Sequence, residues 1–142
     1  MHQNAYYPMK DGKIKYRILV HCLLGQIQKG FNTCVESLPF PVTVKYVNLI
    51  EDGIISKLKF DPHLIVLLPN KEDSDIMLPV KIKLFAAKIP LLIIIPKVPY
   101  EYSLFLEKTG VEMIIQLPAD NEKIKNAISS LLSPGKITDF RE

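Results

Sequence analysis

Short apolar segments alternate along this chain with amphipathic ones, and this alternation restricts the fold more than any other feature of the sequence. Five of the apolar segments have the length of β-strands: 17–22, 43–48, 63–68, 90–95 and 112–116. Three of them are nearly continuous Val, Ile and Leu, which is typical of strands covered on both faces in a parallel sheet. The 43–48 segment alternates between apolar and polar residues, so this strand is predicted nearer the sheet edge.

The segments between and after these strands repeat their apolar residues at helical spacing, which predicts five helices. Their apolar stripes are, in chain order, Ile27, Phe31, Cys34, Val35 and Leu38; Ile54, Ile55 and Leu58; Ile76, Met77, Val80 and Leu84; Tyr102, Phe105 and Leu106; and Ile124, Ala127, Ile128, Leu131 and Leu132. Pro79 is expected in the first turn of the third helix, Gly110 at the end of the fourth, and Asp120 as N-cap of the fifth. Right-handed crossovers then predict an α/β fold, a three-layer, doubly wound (βα)5 sandwich around a five-stranded parallel sheet.

The length and composition fit one soluble globular domain. The chain has 142 residues, is 48% apolar and 23% charged, and carries a net charge of +3. We expect an N-terminal tail at 1–16, the domain at 17–133 and a C-terminal tail at 134–142. No basic helix with interleaved aromatic residues occurs, so nucleic acid is not expected as a partner of this domain.

The cysteines and the apolar segments also bear on the compartment. Cys22 and Cys34 do not make a disulfide framework, and no signal-peptide core precedes them. The most apolar segment, at 89–96, is too short to span a bilayer. A cytoplasmic, reduced protein without a membrane partner is therefore expected.

Ligands of such folds bind at the carboxyl ends of the strands, and here these ends are largely apolar. The ionisable candidates at these ends are His21, Cys22 and an acidic loop of Glu72, Asp73 and Asp75. We interpret the acidic loop as a solvated start of the next helix and not as a metal site. The three histidines lack the spacing of metal ligands, and neither G-x-G-x-x-G nor a P-loop occurs. No metal and no cofactor are predicted.

Cys22 leaves two interpretations open. A phosphatase loop needs an arginine six positions after the cysteine, and this position holds Gln28. A phosphocysteine of the sugar-transport type would need small or hydroxyl residues in the loop, whereas 23–27 contains bulky ones. A thiol that packs under the loop is the favoured interpretation, and a reactive nucleophile is the alternative.

Three segments share the pattern of one known family. The segment at 109–132 contains a glycine-led fifth strand, an X-Pro bond, an acidic cap and an amphipathic last helix; its sequence is TGVEMIIQLPADNEKIKNAISSLL. Two further segments follow the family pattern around the third and fourth strands: EDGIISKLKFDPHLIVLLP at 51–69 and KIPLLIIIP at 88–96. In this order, the segments resemble the receiver domain of bacterial response regulators over about 17–133. The resemblance implies a flavodoxin-like sheet with the strand order 2-1-3-4-5.

Receivers bind Mg²⁺ with an acid pair after the first strand and accept phosphate on an aspartate that ends the third. By resemblance, the acid pair falls on Cys22 and Leu23, and the acceptor falls on Leu68. The hydroxyl and lysine that read the phosphoryl group fall on Ile95 and Leu117. The aromatic switch position falls on Ile114, whereas Pro118 is retained, which implies a cis Leu117-Pro118 bond.

These replacements predict a degenerate pocket and a module that is not an enzyme. The chain is interpreted as a pseudo-receiver whose former pocket is filled by Leu23, Leu68, Ile95 and Leu117 and which binds a protein partner or a second copy. In receivers the fourth helix, fifth strand and fifth helix form the usual contact face. The corresponding residues are Tyr100, Tyr102, Leu104, Lys108 and Lys123. The alternatives are a phosphocysteine carrier that uses Cys22 and a small-molecule sensor with a pocket at the strand ends.

Overall fold

Five parallel strands form the middle layer of the computed structural model, which describes residues 15–69 and 77–132. The strands are β1 (Tyr16–His21), β2 (Val42–Val47), β3 (Leu64–Leu67), β4 (Leu91–Ile95) and β5 (Met113–Gln116). Their order in the sheet is β2-β1-β3-β4-β5. The predicted α/β class, the parallel sheet and the strand order are confirmed, and β2 lies at an edge as its alternating sequence indicated.

The N-terminal boundary of the fold differs from the prediction by one residue. Tyr16, which was assigned to the tail at 1–16, is buried and begins β1. Its ring packs edge-on against Phe40 at 5.2 Å and against His63 at 5.3 Å between ring centroids, so this aromatic contact belongs to the core. Lys15, also assigned to the tail, is exposed just before β1, and residues 1–14 and 134–142 of the two predicted tails lie outside the described residues.

Helices connect the strands and cover both faces of the sheet. They are α1 (Gly25–Glu36), α2 (Leu49–Asp52), α3 (Ile54–Lys57), α4 (Leu78–Phe85), α5 (Tyr100–Glu107) and α6 (Asn121–Leu132). The second predicted helix, whose stripe begins at Ile54, corresponds to α3 and a following 3-10 turn. The one-turn helix α2 precedes it and was not predicted, and Gly53, with a φ of 89°, separates the two. The fourth and fifth predicted helices therefore correspond to α5 and α6. Asp120 is the N-cap of α6 as predicted, because its carboxylate accepts the Lys123 N–H at 2.8 Å. Gly110, with a φ of 92°, lies in the turn that follows α5.

The sheet separates two apolar cores. One core lies between the sheet and the pair α1 and α6, and the other lies between the sheet and helices α2 to α5. Side chains of each strand alternate between them, so Ile18 and Val20 face α1 and α6 while Leu19 faces the opposite layer. Within residues 15–69 and 77–132, no helix is long and apolar enough to cross a bilayer.

The apolar stripe predicted for the third helix is wrong. Met77 and Leu84 were expected in the core, but Leu84 is 74% exposed, and the buried positions of α4 are Leu78, Ile82 and the following Ala86. The segment is apolar on more than one side, so its periodicity allows two rotations of the helix. Pro79 occupies the first turn as predicted, whereas Ile76 lies outside the described residues.

Candidate functional site

Backbone hydrogen bonds join the carboxyl ends of the strands into one edge. The Cys22 N–H donates to the Val47 carbonyl at 3.3 Å, and the Leu68 N–H donates to the His21 carbonyl at 3.1 Å. On the other side, the Leu117 N–H donates to the Ile95 carbonyl at 2.7 Å. These bonds continue the parallel ladders beyond the strands. The positions that the resemblance assigned to the phosphorylation pocket therefore lie along the same edge of the sheet.

The side chains at these positions pack in different directions. Cys22 is 2% exposed and Leu68 is 4% exposed, and both belong to the core under α1 and α6, where Leu117 packs against them. Ile95 packs against the core on the other face of the sheet. Leu23 is 53% exposed, so the expectation that it fills the former pocket is wrong. The chain turns outward directly after Cys22, which carries the Leu23 side chain away from the sheet.

The peptide bond between Leu117 and Pro118 is cis. The resemblance to receivers predicted this bond, and the prediction is confirmed. It follows β5 directly, so it lies in the loop between β5 and α6 at the edge where the other strand ends meet.

Cys22 is held as a structural thiol. Its Sγ donates a hydrogen bond to the Leu24 carbonyl at 3.6 Å. Burial raises the pKa of the thiol. A raised pKa reduces the thiolate fraction near neutral pH, and the thiolate is the nucleophilic form. The environment of Cys22 therefore favours the packed thiol over the nucleophile.

Gln28 and Tyr46 lie near Cys22, and the sequence did not indicate either of them as a site residue. The Gln28 side-chain amide donates to the Cys22 carbonyl at 2.9 Å, which ties α1 to the end of β1. The Tyr46 hydroxyl lies 2.6 Å from Asn32 Oδ1 and 3.1 Å from the Gln28 carbonyl. Burial, with a smaller contribution from Cys22, raises the pKa of Tyr46 to about 12. Gln28 was noticed only as the place of a missing arginine, and Tyr46 carried no signal except its position on an edge strand.

His21 faces the other layer of the sandwich. Its imidazole is buried, and Nδ1 accepts the Leu49 N–H at 3.0 Å at the start of α2. A ring nitrogen that accepts a backbone hydrogen bond is not available as a metal ligand or a base. The His21 side chain therefore links the end of β1 to the start of α2 through this hydrogen bond.

The side chains present do not fit the Mg²⁺ ion that receivers bind. Mg²⁺ is bound by oxygen ligands, and the positions that the resemblance assigned to the pocket carry the thiol of Cys22 and the aliphatic side chains of Leu23 and Leu68. Among residues 15–69 and 77–132, no group of three or more His, Cys, Asp or Glu side chains could hold a metal ion. The predicted acidic loop of Glu72, Asp73 and Asp75 lies outside these residues.

A pocket of about 380 Å³ opens between α1 and α6 beside the ends of β3, β4 and β5. Its walls are mostly apolar, and Thr33 and Asn121 contribute polar atoms. Its lining consists of Ile27, Gly30, Phe31, Thr33, Leu68, Pro69, Ile94, Leu117, Asn121 and Ile124. The volume falls within the range of small-molecule sites.

The candidate contact face is divided by the β5 edge. Tyr100, at the start of α5, is 72% exposed, whereas Tyr102 is half-buried and stacks on Phe105 at 6.0 Å between ring centroids. Leu104 is half-buried, and Lys108 is exposed just after α5. Lys123 is exposed in the first turn of α6, on the other side of the sheet. Tyr100 is therefore the most exposed aromatic side chain of α5, ahead of Phe105 at 36%.

Neither the protein-family models nor the curated proteins compared with this sequence give a match. The fold is nevertheless similar to those of solved receivers. A signal receiver domain from Vibrio parahaemolyticus is 18% identical with a TM-score of 0.73, and the match covers 91% of this chain and 98% of that one. A CheY-like response regulator receiver domain protein from Methanospirillum hungatei JF-1 is 15% identical with a TM-score of 0.70, over 87% of this chain and 98% of that one.

The crystal structure of NtrX from Brucella abortus is a further similar structure, with 15% identity and a TM-score of 0.67. The match covers 89% of this chain but only 28% of NtrX. At these identities the similarity shows the fold alone, and the fold is that of receiver domains.

Proposed function

We propose that this chain is a receiver-like signalling module that acts through protein–protein contacts and takes no part in phosphoryl transfer. The observation that carries the proposal is the chemistry of the strand ends. A packed thiol and aliphatic side chains occupy the positions where receivers have a metal-binding acid, a phosphate acceptor and a lysine: Cys22, Leu68 and Leu117. An aliphatic side chain has no atom that can accept a phosphoryl group.

The packing of these side chains supports a module with one conformation. Cys22 and Leu68 lie in the same core, and Leu117 contacts it from the end of β5. A switch needs a second state that a ligand or a modification can favour. Apolar side chains that fill the edge offer no differential contact to a phosphoryl group, so the domain acts as a fixed surface.

The face formed by α5, β5 and α6 is the proposed site for a protein partner. Tyr100 is the most exposed aromatic residue of this face, and exposed tyrosines are common anchors of protein interfaces. Lys108 and Lys123 add positive charge on the two sides of it. We place the module in the cytoplasm, where the buried free thiols Cys22 and Cys34 stay reduced.

Phosphorylation is tested by incubation of the protein with acetyl phosphate and Mg²⁺, followed by intact mass measurement. A receiver with its acids intact serves as the positive control. The proposal expects no phosphoryl adduct on this chain under conditions that modify the control. Specific incorporation of one phosphoryl group would overturn it.

The contact face is tested with the purified chain as bait. Tyr100→Ala and Leu104→Ala are expected to abolish capture of a partner that the native chain binds, because they remove the exposed aromatic and its aliphatic neighbour. Gln26→Ala, an exposed change on α1, is the matched control and should retain the partner. Equal capture by all variants would exclude this face.

A second function, small-molecule sensing, is supported by the 380 Å³ pocket between α1 and α6. Its walls suit an apolar ligand of modest size with a polar group near Asn121. A thermal-shift screen of apolar carboxylates, amides and aromatic compounds tests it, with Ile124→Trp as a variant that should fill the pocket. Sensing requires a stabilising compound whose effect this variant removes.

A further inference from the structure

A second apolar groove, of about 320 Å³, lies between α3 and α4 on the side of the sheet opposite α1 and α6. Ile50, Ile55 and Phe85 line it, and all three are exposed, Ile55 by 62% and Phe85 by 53%. Leu78 and Ile54 form its floor, and both are buried. Exposed large apolar side chains that share one groove mark a surface that is covered by another molecule.

The charges around this groove are separated along its length. Glu51 and Asp52 end α2, which follows β2 and therefore lies at the carboxyl edge of the sheet. Lys57 ends α3, and Lys88 follows α4 shortly before β4, so both lie towards the amino edge. Lys81 lines the groove from the middle of α4, and on either side of it the acidic charges lie at one end of the groove and the basic charges at the other. Glu51, Asp52 and Lys88 are exposed, so their charges face solvent.

We propose that a second copy of this chain covers the groove between α3 and α4 and forms a symmetric dimer. A twofold axis through the groove reverses the direction of the second copy. The acidic end of one copy then meets the basic end of the other, and the same contact occurs twice. Ile55 and Phe85 of both copies come together in the centre, where they are removed from water.

The separation of charges is what selects a second copy over another partner. A surface of one sign would favour a partner of the opposite sign, whereas this surface is complementary to itself when one copy is reversed. The dimer leaves the α5, β5 and α6 face open, so a partner could bind there at the same time. The inference does not depend on the proposed function, because a phosphorylatable chain could dimerise in the same way.

Sedimentation velocity of the full chain over about 1 μM to about 1 mM tests the proposal, since this range covers both stable and transient association. A reversible monomer–dimer equilibrium is expected. Ile55→Ser and Phe85→Ser should each weaken it by about tenfold or more, because they remove central apolar contacts. Gln26→Ser, an exposed change on α1 and outside both faces, is the matched control and should leave it unchanged. Both groove positions are exposed, so circular dichroism should show that both variants retain the fold.

Charge reversal gives a test that is specific to the twofold arrangement. Glu51→Lys and Lys88→Glu should each weaken self-association, because like charges then meet at both ends of the dimer. An equimolar mixture of the two variants should associate again, because every contact in the mixed dimer joins opposite charges. Both effects should diminish at high salt.

A chain that stays monomeric over the whole range would overturn the proposal. So would a dimer that withstands both groove variants, or one that Gln26→Ser weakens as much as they do. A mixture of the charge variants that fails to associate would exclude the reversed orientation of the second copy.

Discussion

The side-chain amide of Gln28 donates a hydrogen bond of 2.9 Å to the carbonyl of Cys22, and this bond closes the turn between β1 and α1. The Cys22 thiol points into the core below the same turn. The end of β1 is therefore packed into the core, and the Gln28 side chain links it to α1 by a hydrogen bond. Its geometry explains why a cysteine at this place need not be a nucleophile.

Replacement of Gln28 should destabilise the turn between β1 and α1 and so lower the stability of the fold. Gln28→Ala removes the bond to the Cys22 carbonyl and is expected to lower the free energy of unfolding by about 1 kcal/mol. Urea denaturation followed by circular dichroism measures the change. Gln26→Ala, an exposed change on the same helix, should leave stability within about 0.5 kcal/mol of the native value. Equal effects of the two changes would show that the Gln28 bond contributes nothing.

The alkylation rate of Cys22 separates a packed thiol from a phosphocysteine. Burial raises the pKa of Cys22 and of Cys34, so both thiols should react slowly with iodoacetamide in the folded protein and quickly in urea. A Cys34→Ala variant lets the modification of Cys22 be measured alone by mass. Rapid stoichiometric labelling of native Cys22 at pH 7 would revive the phosphocarrier interpretation.

Stability should fall in acid because of His63. Its Nδ1 accepts the Arg17 N–H at 2.9 Å, and burial, together with the Arg17 guanidinium, lowers its pKa below 6.5. The unfolded chain then binds the proton more readily, so this contribution to stability is complete above pH 6.5 and is lost as the pH falls through the folded pKa.

Urea denaturation at a series of pH values measures this effect. His63→Asn retains an acceptor for Arg17 without titrating, so below pH 6.5 its stability should fall less steeply than that of the native protein, by at most about 1.4 kcal/mol per pH unit. Parallel profiles of the two proteins would exclude His63 as the cause.

A partly buried ion pair joins α4 to the start of β4 and β5. Lys83 Nζ lies 3.2 Å from both carboxylate oxygens of Glu112 and donates to the Ile89 carbonyl at 2.9 Å, and its side chain is 10% exposed. Lys83→Met should cost about 2 kcal/mol, because it leaves both acceptors without this donor. The more exposed Lys125–Glu122 pair, with side chains 25% and 70% exposed, is the comparison, and Lys125→Met should cost less than about 0.5 kcal/mol. Thermal melts measure the stability that each variant loses. Equal losses for Lys83→Met and Lys125→Met would contradict the claim that burial makes the Lys83–Glu112 pair the more stabilising one.

The sequence predicts the fold well because its signals are local and repeat along the chain. Strands such as 63–68 are continuous apolar runs, and the α6 stripe has one unambiguous period that Asp120 caps. The α4 segment has apolar residues on more than one side, so its period did not decide that Leu84 points to solvent. That rotation is set by packing against the sheet, which a single sequence does not contain.

The candidate site was predictable in position but less so in packing. The order of strand ends located Cys22, Leu68 and Leu117 at one edge, and none of these side chains carries a carboxylate. The outward direction of Leu23 depends on where the chain turns after β1, and no periodic pattern records that turn. Gln28 bonds to Cys22 from α1, and Tyr46 bonds to Gln28 from β2, and such contacts between elements are visible only in three dimensions.

The most direct test of a phosphorylation-independent module is an amide NMR spectrum recorded with Mg²⁺ and beryllofluoride, which imitates a phosphorylated aspartate. The proposal predicts that the amide signals of Cys22, Leu68 and Leu117 keep their chemical shifts, because no carboxylate at these positions can bind the ion or the fluoride complex. Saturable shifts of these amides that require both Mg²⁺ and beryllofluoride would contradict it.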